Sequence, residues 1–155
     1  MEDQEKIAFK NKLKRWALDQ IGQRIAVARE AIDQAQQAAN QEEKSSAGDK
    51  YETGRAMGHL QKEMHGRQLA EFIRELATLH AVNTDTLYSE GRAGAFLQGE
   101  TLAFFIAAGL GRQMIDGQTI LFISPRAPLA QNLLNKKRGG TFVFNGSPIR
   151  LIEVF

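Results

Sequence analysis

The chain has 155 residues, enough for one ordinary domain or two small ones. Charged residues make up 25% and hydrophobic residues 43%, which excludes a disordered polar chain, and a net charge of only +2 excludes a strong whole-molecule field drawing it onto DNA or an anionic membrane. The absence of cysteine excludes disulfides and cysteine-based zinc sites and suits a reducing, cytoplasmic setting.

The first twenty residues, MEDQEKIAFKNKLKRWALDQ, are too charged for a signal peptide. No apolar run approaches the roughly 18 residues of a membrane span, so no membrane partner is expected. From about Asp3 to Lys44 there is no proline and one glycine, Gly22. Leu18, Ile21, Ile25, Ala28, Ile32, Ala35 and Ala39 alternate three and four apart, which is a heptad seam. A helix of that length spans about 60 Å and cannot bury its stripe alone.

The following segment supplies a partner. From about Asp49 to Val82 apolar residues recur at Met57, Leu60, Met64, Leu69, Phe72, Ile73, Leu76 and Leu79, with an irregularity expected near Gly66. A fold-back at Ser46 to Ala47 sets Ala39 opposite Gly54, Ala35 opposite Gly58, Ala28 opposite Met64 and Trp16 opposite Leu76 or Ala77. The expectation is an antiparallel helical coiled-coil hairpin over residues 1–82, with its tip at about 45–53. Residues 83–95 hold turn formers and read as a linker.

Beyond it the pattern becomes strand-like, over residues 96–155. Phe96 to Gln98, Leu102 to Ala107, Thr119 to Ile123, Thr141 to Phe144 and Ile149 to Val154 are strand candidates. Ala108 to Arg112 and Asp116 to Gly117 read as breaks. Pro128 to Lys137 reads as a short helix with Leu129, Leu133 and Leu134 on one face. Asn145-Gly146 signals a hairpin turn. The fold class is therefore α+β, with four or five strands and one short helix after the long helices.

The stretch between the two helical arms carries the candidate chemistry. Asp49 and Glu52 stand three apart at a helix start. That spacing fits a capping box, with Asp49 as N-cap and Glu52 reaching back. It also fits a pair of hard oxygen ligands for Mg²⁺, although two carboxylates leave most of about six coordination positions empty. Lys50 and Arg55 flank the acids and are candidates for contact with RNA phosphate, or simply solvated side chains. Lys6, Lys10, Lys12, Lys14 and Arg15 form a basic stretch, expected as a solvated face. His59, His65 and His80 lack metal-ligand spacing.

The tip SAGDKYET resembles that of the Gre family of bacterial transcript cleavage factors, whose pattern is Gly-Asp-x-x-Glu. Gly48, Asp49 and Glu52 match it. The C-terminal stretch from Ile123-Ser124 onward resembles the end of the same family. Its Ser-Pro-hydrophobic-Ala helix start falls on Ala127, Pro128, Leu129 and Ala130, with alanine in place of serine. The tip continues Glu52-Thr53-Gly54-Arg55 where the family has Glu-Asn-x-x-Tyr. The resemblance implies a small FKBP-like C-terminal domain that docks on RNA polymerase near its secondary channel, through a region that includes Ala127, Pro128 and Leu129. It implies that Asp49 and Glu52 enter the polymerase active centre and share an Mg²⁺ ion there, near the nascent RNA 3′ end. The chain would then be no enzyme by itself, but a monomeric factor that stimulates cleavage of backtracked RNA by the polymerase. A Gre-like channel occupant that inhibits without cleavage, a prolyl isomerase and a plain coiled-coil scaffold are the alternatives.

Overall fold

The computed structural model describes residues 1–45 and 49–155, with side chains described for 1–41 and 52–155. The expected turn at Ser46 to Ala47 and the adjoining Gly48 lie outside the described residues. The elements are α1 (Asp3–Ser45), α2 (Asp49–Ala81), β1 (Phe96–Gly99), β2 (Ala103–Ile106), β3 (Gly111–Ile115), β4 (Gln118–Ile123), α3 (Pro128–Leu133), β5 (Thr141–Phe144) and β6 (Ser147–Val154). The architecture is α+β: two long helices, then a six-stranded mixed sheet in the order β3-β4-β2-β1-β6-β5. Two compact units result. One joins Met1–Leu18 with Glu75–Phe155, and the other is Asp19–Arg74.

In the sheet unit, β2 and β4 are parallel and every other pair is antiparallel. All four residues of β2, Ala103 to Ile106, are buried. That is the pattern of a strand covered on both faces, and it explains an unbroken apolar run where alternation would mark a half-exposed strand. One face carries Leu97, Phe104, Ile106 and Leu151, packed with Ala130 and Leu133 of α3. Phe96, Phe105 and Phe122 belong to the other face. There Phe9 meets Phe96 edge-on at 5.1 Å between ring centroids, and Trp16 meets Phe122 at 5.0 Å. The start of α1 is therefore part of the sheet's core, and Trp16 packs against strand β4.

Strand β3 was not expected. Its residues GRQMI carry no apolar alternation and are largely exposed, because it is an edge strand with one neighbour. Its register comes from the turn it shares with β4. Asp116 (φ 52°) and Gly117 (φ 76°) both adopt positive φ, as a two-residue type I′ hairpin requires. Asn145 (φ 51°) and Gly146 (φ 79°) do the same between β5 and β6, as the Asn-Gly pair predicts. Helix α3 ends at Leu133, short of the expected Lys137. Leu133 is buried, but Leu134 is 46% exposed, just past the helix end.

In the Asp19–Arg74 unit the α1 seam matches expectation. Ile21, Ile25, Ala28 and Ala35 are buried, and Ile32 and Ala39 are half-buried. The α2 seam matches only in its second half, where Leu69, Phe72 and Leu76 are half-buried and Leu79 is buried. Met57, Leu60 and Met64 are 59%, 62% and 53% exposed. Before Leu69 the half-buried positions are instead Gly54, Gly58, His65 and Gly66. Counted back from Leu79, an unbroken alternation of four and three lands on Leu76, Phe72, Leu69, His65, Lys62 and Gly58. The heptad thus continues through polar and glycine residues, with Met57 and Met64 one position off it and Leu60 two. Facing residues shift by one helical turn from the expected pairs. A Cβ on Gly58 would stand 3.2 Å from the Cβ of Ala39, and Lys62 Nζ donates to Gln36 Oε1 at 2.7 Å. Later residues of α1 meet earlier residues of α2, the order of antiparallel neighbours.

Gly58 and Gly66 therefore differ although both are helical. Nothing lies within 4 Å of a Cβ on Gly66 or on Gly22. Gly66→Ala and Gly22→Ala should each stabilise the chain by about 0.5–1 kcal/mol through helix propensity. Gly58→Leu, which must push against Ala39, should destabilise it. Urea unfolding followed by circular dichroism measures both signs.

Candidate functional site

Asp49, Lys50 and Tyr51 form the first positions of α2, but their side chains lie outside the described residues. The described part of α2 begins at Asp49, so the expected capping box of Asp49 and Glu52 lies outside the described side chains. Glu52 follows one turn later and its side chain is exposed. Residues three apart share a helix face, so the backbone sets Asp49 and Glu52 on the same side of α2. Arg55 is exposed and borders a small groove with Gln36, Asn40, His59 and Lys62.

Among the described residues no three His, Asp or Glu side chains converge as a metal site would require. The donor set here is one exposed carboxylate, with a second placed on its face by the backbone. That chemistry suits a hard cation only if other oxygen ligands join it, and none converge with it among the described residues.

Ala127, Pro128 and Leu129 lie on the other unit. Ser124 to Ala127 form a turn in which Ala127 N donates to Ser124 O at 3.0 Å, with Pro125 at the position that favours its fixed φ. Ala127 then precedes α3 in extended geometry (φ −68°, ψ 148°) and makes no side-chain cap, as expected for alanine in place of serine. Pro128 occupies the first turn, where its missing N–H costs nothing. Pro128 is exposed, and Ala127 and Leu129 are half-buried. A groove of about 320 Å³ adjoins this turn, lined by Val82, Tyr88, Arg92, Pro125 and Arg126 among others.

The basic stretch of α1 departs most from expectation. Lys6, Lys10 and Lys14 are anchors, while Lys12 and Arg15 stay on an exposed face as expected. Lys10 is fully buried. Its Nζ donates to Thr86 O at 2.6 Å and Gly94 O at 3.0 Å, and lies 4.9 Å from the Tyr88 ring centroid. Lys14 Nζ donates to Val82 O at 2.7 Å, Lys6 pairs with Glu153 at 2.7 Å, and Lys12 pairs with Asp116 at 2.6 Å. Beside them Asn11 Nδ2 donates to Asp85 Oδ1 at 2.9 Å, and the buried Thr84 hydroxyl donates to Asn11 Oδ1 at 2.5 Å. Residues 83–95 are thus tied to α1 by polar contacts. The sequence signal was available in one form: Lys6, Lys10, Phe9, Leu13 and Ala17 share a helix face, and a lysine within an apolar stripe implies a carbonyl partner.

Comparison with models of known protein families finds no match, and comparison with curated proteins finds no significant relative.

Burial lowers the Lys10 ammonium from its ordinary 10.5 to about 8, against the opposing pull of Asp85. Between those two values the unfolded chain keeps a proton that the folded chain has released. Stability should therefore rise with pH across that window. In Lys10→Met this rise should vanish, while Thr86 O and Gly94 O lose their donor. Denaturant unfolding at pH 7.5, 9 and 10, compared between wild type and variant, reads the difference.

Proposed function

We propose that this chain is a Gre-type transcription factor of bacterial RNA polymerase. In this reading α1 and α2 form a coiled-coil hairpin that enters the secondary channel and stimulates cleavage of backtracked RNA by the polymerase. The observation that carries it is the sequence Gly48-Asp49-x-x-Glu52, whose Asp49 and Glu52 lie in the first described turn of α2, followed in the chain by a sheet unit with a Pro-started helix. The close approach of Gly58 to Ala39 supports it, because small facing residues make a slender helical pair. The sheet unit would be the FKBP-like part, docking on the polymerase through Ala127, Pro128 and Leu129 beside the Tyr88/Arg92 groove. Such a factor works in the cytoplasm; among the described residues no helix is long and apolar enough to cross a membrane.

Asp49 and Glu52 would act as half a site. Their oxygens would hold an Mg²⁺ ion whose other ligands belong to the polymerase, and that ion when bound lowers the pKa of an attacking water. Lys50 and Arg55, close by on the same helix, would meet phosphates of the displaced RNA 3′ segment. The chain itself breaks no bond.

A second reading is a channel occupant that slows the polymerase without cleavage. It is favoured by the continuation Thr53-Gly54-Arg55, which replaces the family's residues after Glu52.

Both readings meet one assay on stalled, backtracked complexes. Wild-type chain should shorten the transcript from its 3′ end, and Asp49→Ala with Glu52→Ala should reduce that stimulation about a hundredfold while leaving helicity intact. Equal stimulation by the double variant would refute the cleavage role. Slowed nucleotide addition with no shortening would transfer support to the second reading.

A further inference from the structure

The groove of about 320 Å³ on the sheet unit combines an apolar lining with unpaired positive charge. Ala81, Val82, Ala93 and Pro125 line it, together with Arg92 and Arg126, and no carboxylate does. Both arginines stand on fixed backbone. Arg92 follows Gly91, whose N–H donates to Lys136 O at 2.8 Å and whose carbonyl accepts from Asn135 N at 2.9 Å. The Arg92 carbonyl itself accepts from Ala95 N at 2.9 Å. Arg126 holds the third position of the Ser124–Ala127 turn, and its N–H donates to Ser124 Oγ at 3.3 Å.

The guanidiniums are nonetheless free for a partner. That of Arg92 lies 4.3 Å from the Tyr88 ring centroid, and among the described residues neither it nor that of Arg126 has an ion pair or hydrogen bond. The buried Lys10 ammonium lies 4.9 Å from the same ring. Positive charge is thus concentrated at this groove. A guanidinium on rigid backbone gains most from a carboxylate or a phosphate, which it meets with two parallel N–H bonds. The apolar lining separates the two. A nucleic-acid backbone needs a row of cations and brings no apolar group for Val82 and Pro125. An acidic protein segment brings carboxylates for the arginines and an aliphatic side chain to lie between them.

We infer that this groove takes an acidic protein segment, with Arg92 and Arg126 each receiving a carboxylate and an aliphatic side chain seated on Ala81, Val82 and Pro125. In the proposed function that segment belongs to the polymerase surface beside Ala127, Pro128 and Leu129, and to that extent the inference rests on that reading. It adds charge to the apolar turn as what the docking surface recognises, so a basic surface is rejected.

Two measurements test it. In the first, the full chain is titrated onto immobilised core polymerase at about 50 and about 200 mM salt. Arg126→Glu and Arg92→Gln should each weaken binding about tenfold or more and flatten its salt dependence, with unchanged circular dichroism. Arg112→Glu, which changes an exposed charge on β3 outside the groove, should leave binding as it was. In the second, the side-chain NMR signals of Arg92 and Arg126 are followed as a peptide alternating Glu and Leu is added. They should shift, and shift less with Gln in place of Glu or with a short DNA duplex. Wild-type binding to polymerase that neither variant weakens would overturn the inference and leave the proposed function standing. Absence of wild-type binding would overturn the proposed function, and the peptide would then decide the groove by itself. No arginine shift with the Glu peptide, or a larger one with DNA, would overturn the acidic protein segment as its occupant.

Discussion

The sheet unit depends on one buried ammonium. Lys10 reaches from α1 into the segment that follows α2 and gives its donors to the carbonyls of Thr86 and Gly94, with the Tyr88 ring beside it. An isolated buried charge is costly, so its partners must hold still. The geometry around Gly94 shows how tightly they do. It sits at φ 92°, a Cβ there would stand 2.2 Å from Asn83 O, and its N–H donates to Ile106 O at 2.7 Å. Removing the ammonium would free two carbonyls at the point where chain leaving α2 enters the central strands.

That anchor gives the aromatic packing its alignment. With the start of α1 held against residues 83–95, Phe9 and Trp16 meet Phe96 and Phe122, and the sheet has a cover on the face that α3 leaves open. Lys6 with Glu153 and Lys12 with Asp116 add partners at the ends of β6 and β3. Both pairs are exposed enough that each contributes little, a few tenths to about 1 kcal/mol. The apolar faces carry the stability, and the polar contacts choose the register.

The helix and strand periods were largely legible in the sequence. The seam of α1, the strand at Phe104, the Pro-started α3 and the Asn-Gly turn all follow from local rules. Three features were not legible, each for a physical reason. Met57, Leu60 and Met64 look like a seam by apolarity, but helical geometry runs the seam through Gly58, Lys62 and His65 because it must stay continuous with Leu69 and Leu79. Strand β3 has no pattern of its own, and its neighbour β4 and a type I′ turn define it. Lys10 looks solvated in a run of lysines, and only the fold shows the carbonyls that receive it. The proposed site was legible as residue types alone: Asp49 and Glu52 share a face of α2, and among the described residues no cluster of His, Asp or Glu joins them.

The central claim is that the start of α2 enters the active centre of RNA polymerase. The chain has no cysteine, so Lys50→Cys offers a single attachment point for a photocrosslinker at that start. On a backtracked elongation complex the crosslink should form to the RNA 3′ segment and to polymerase residues lining the active centre, and excess unlabelled chain should compete it away. A crosslink confined to the outer surface of the polymerase, or none at saturating chain, would contradict the account.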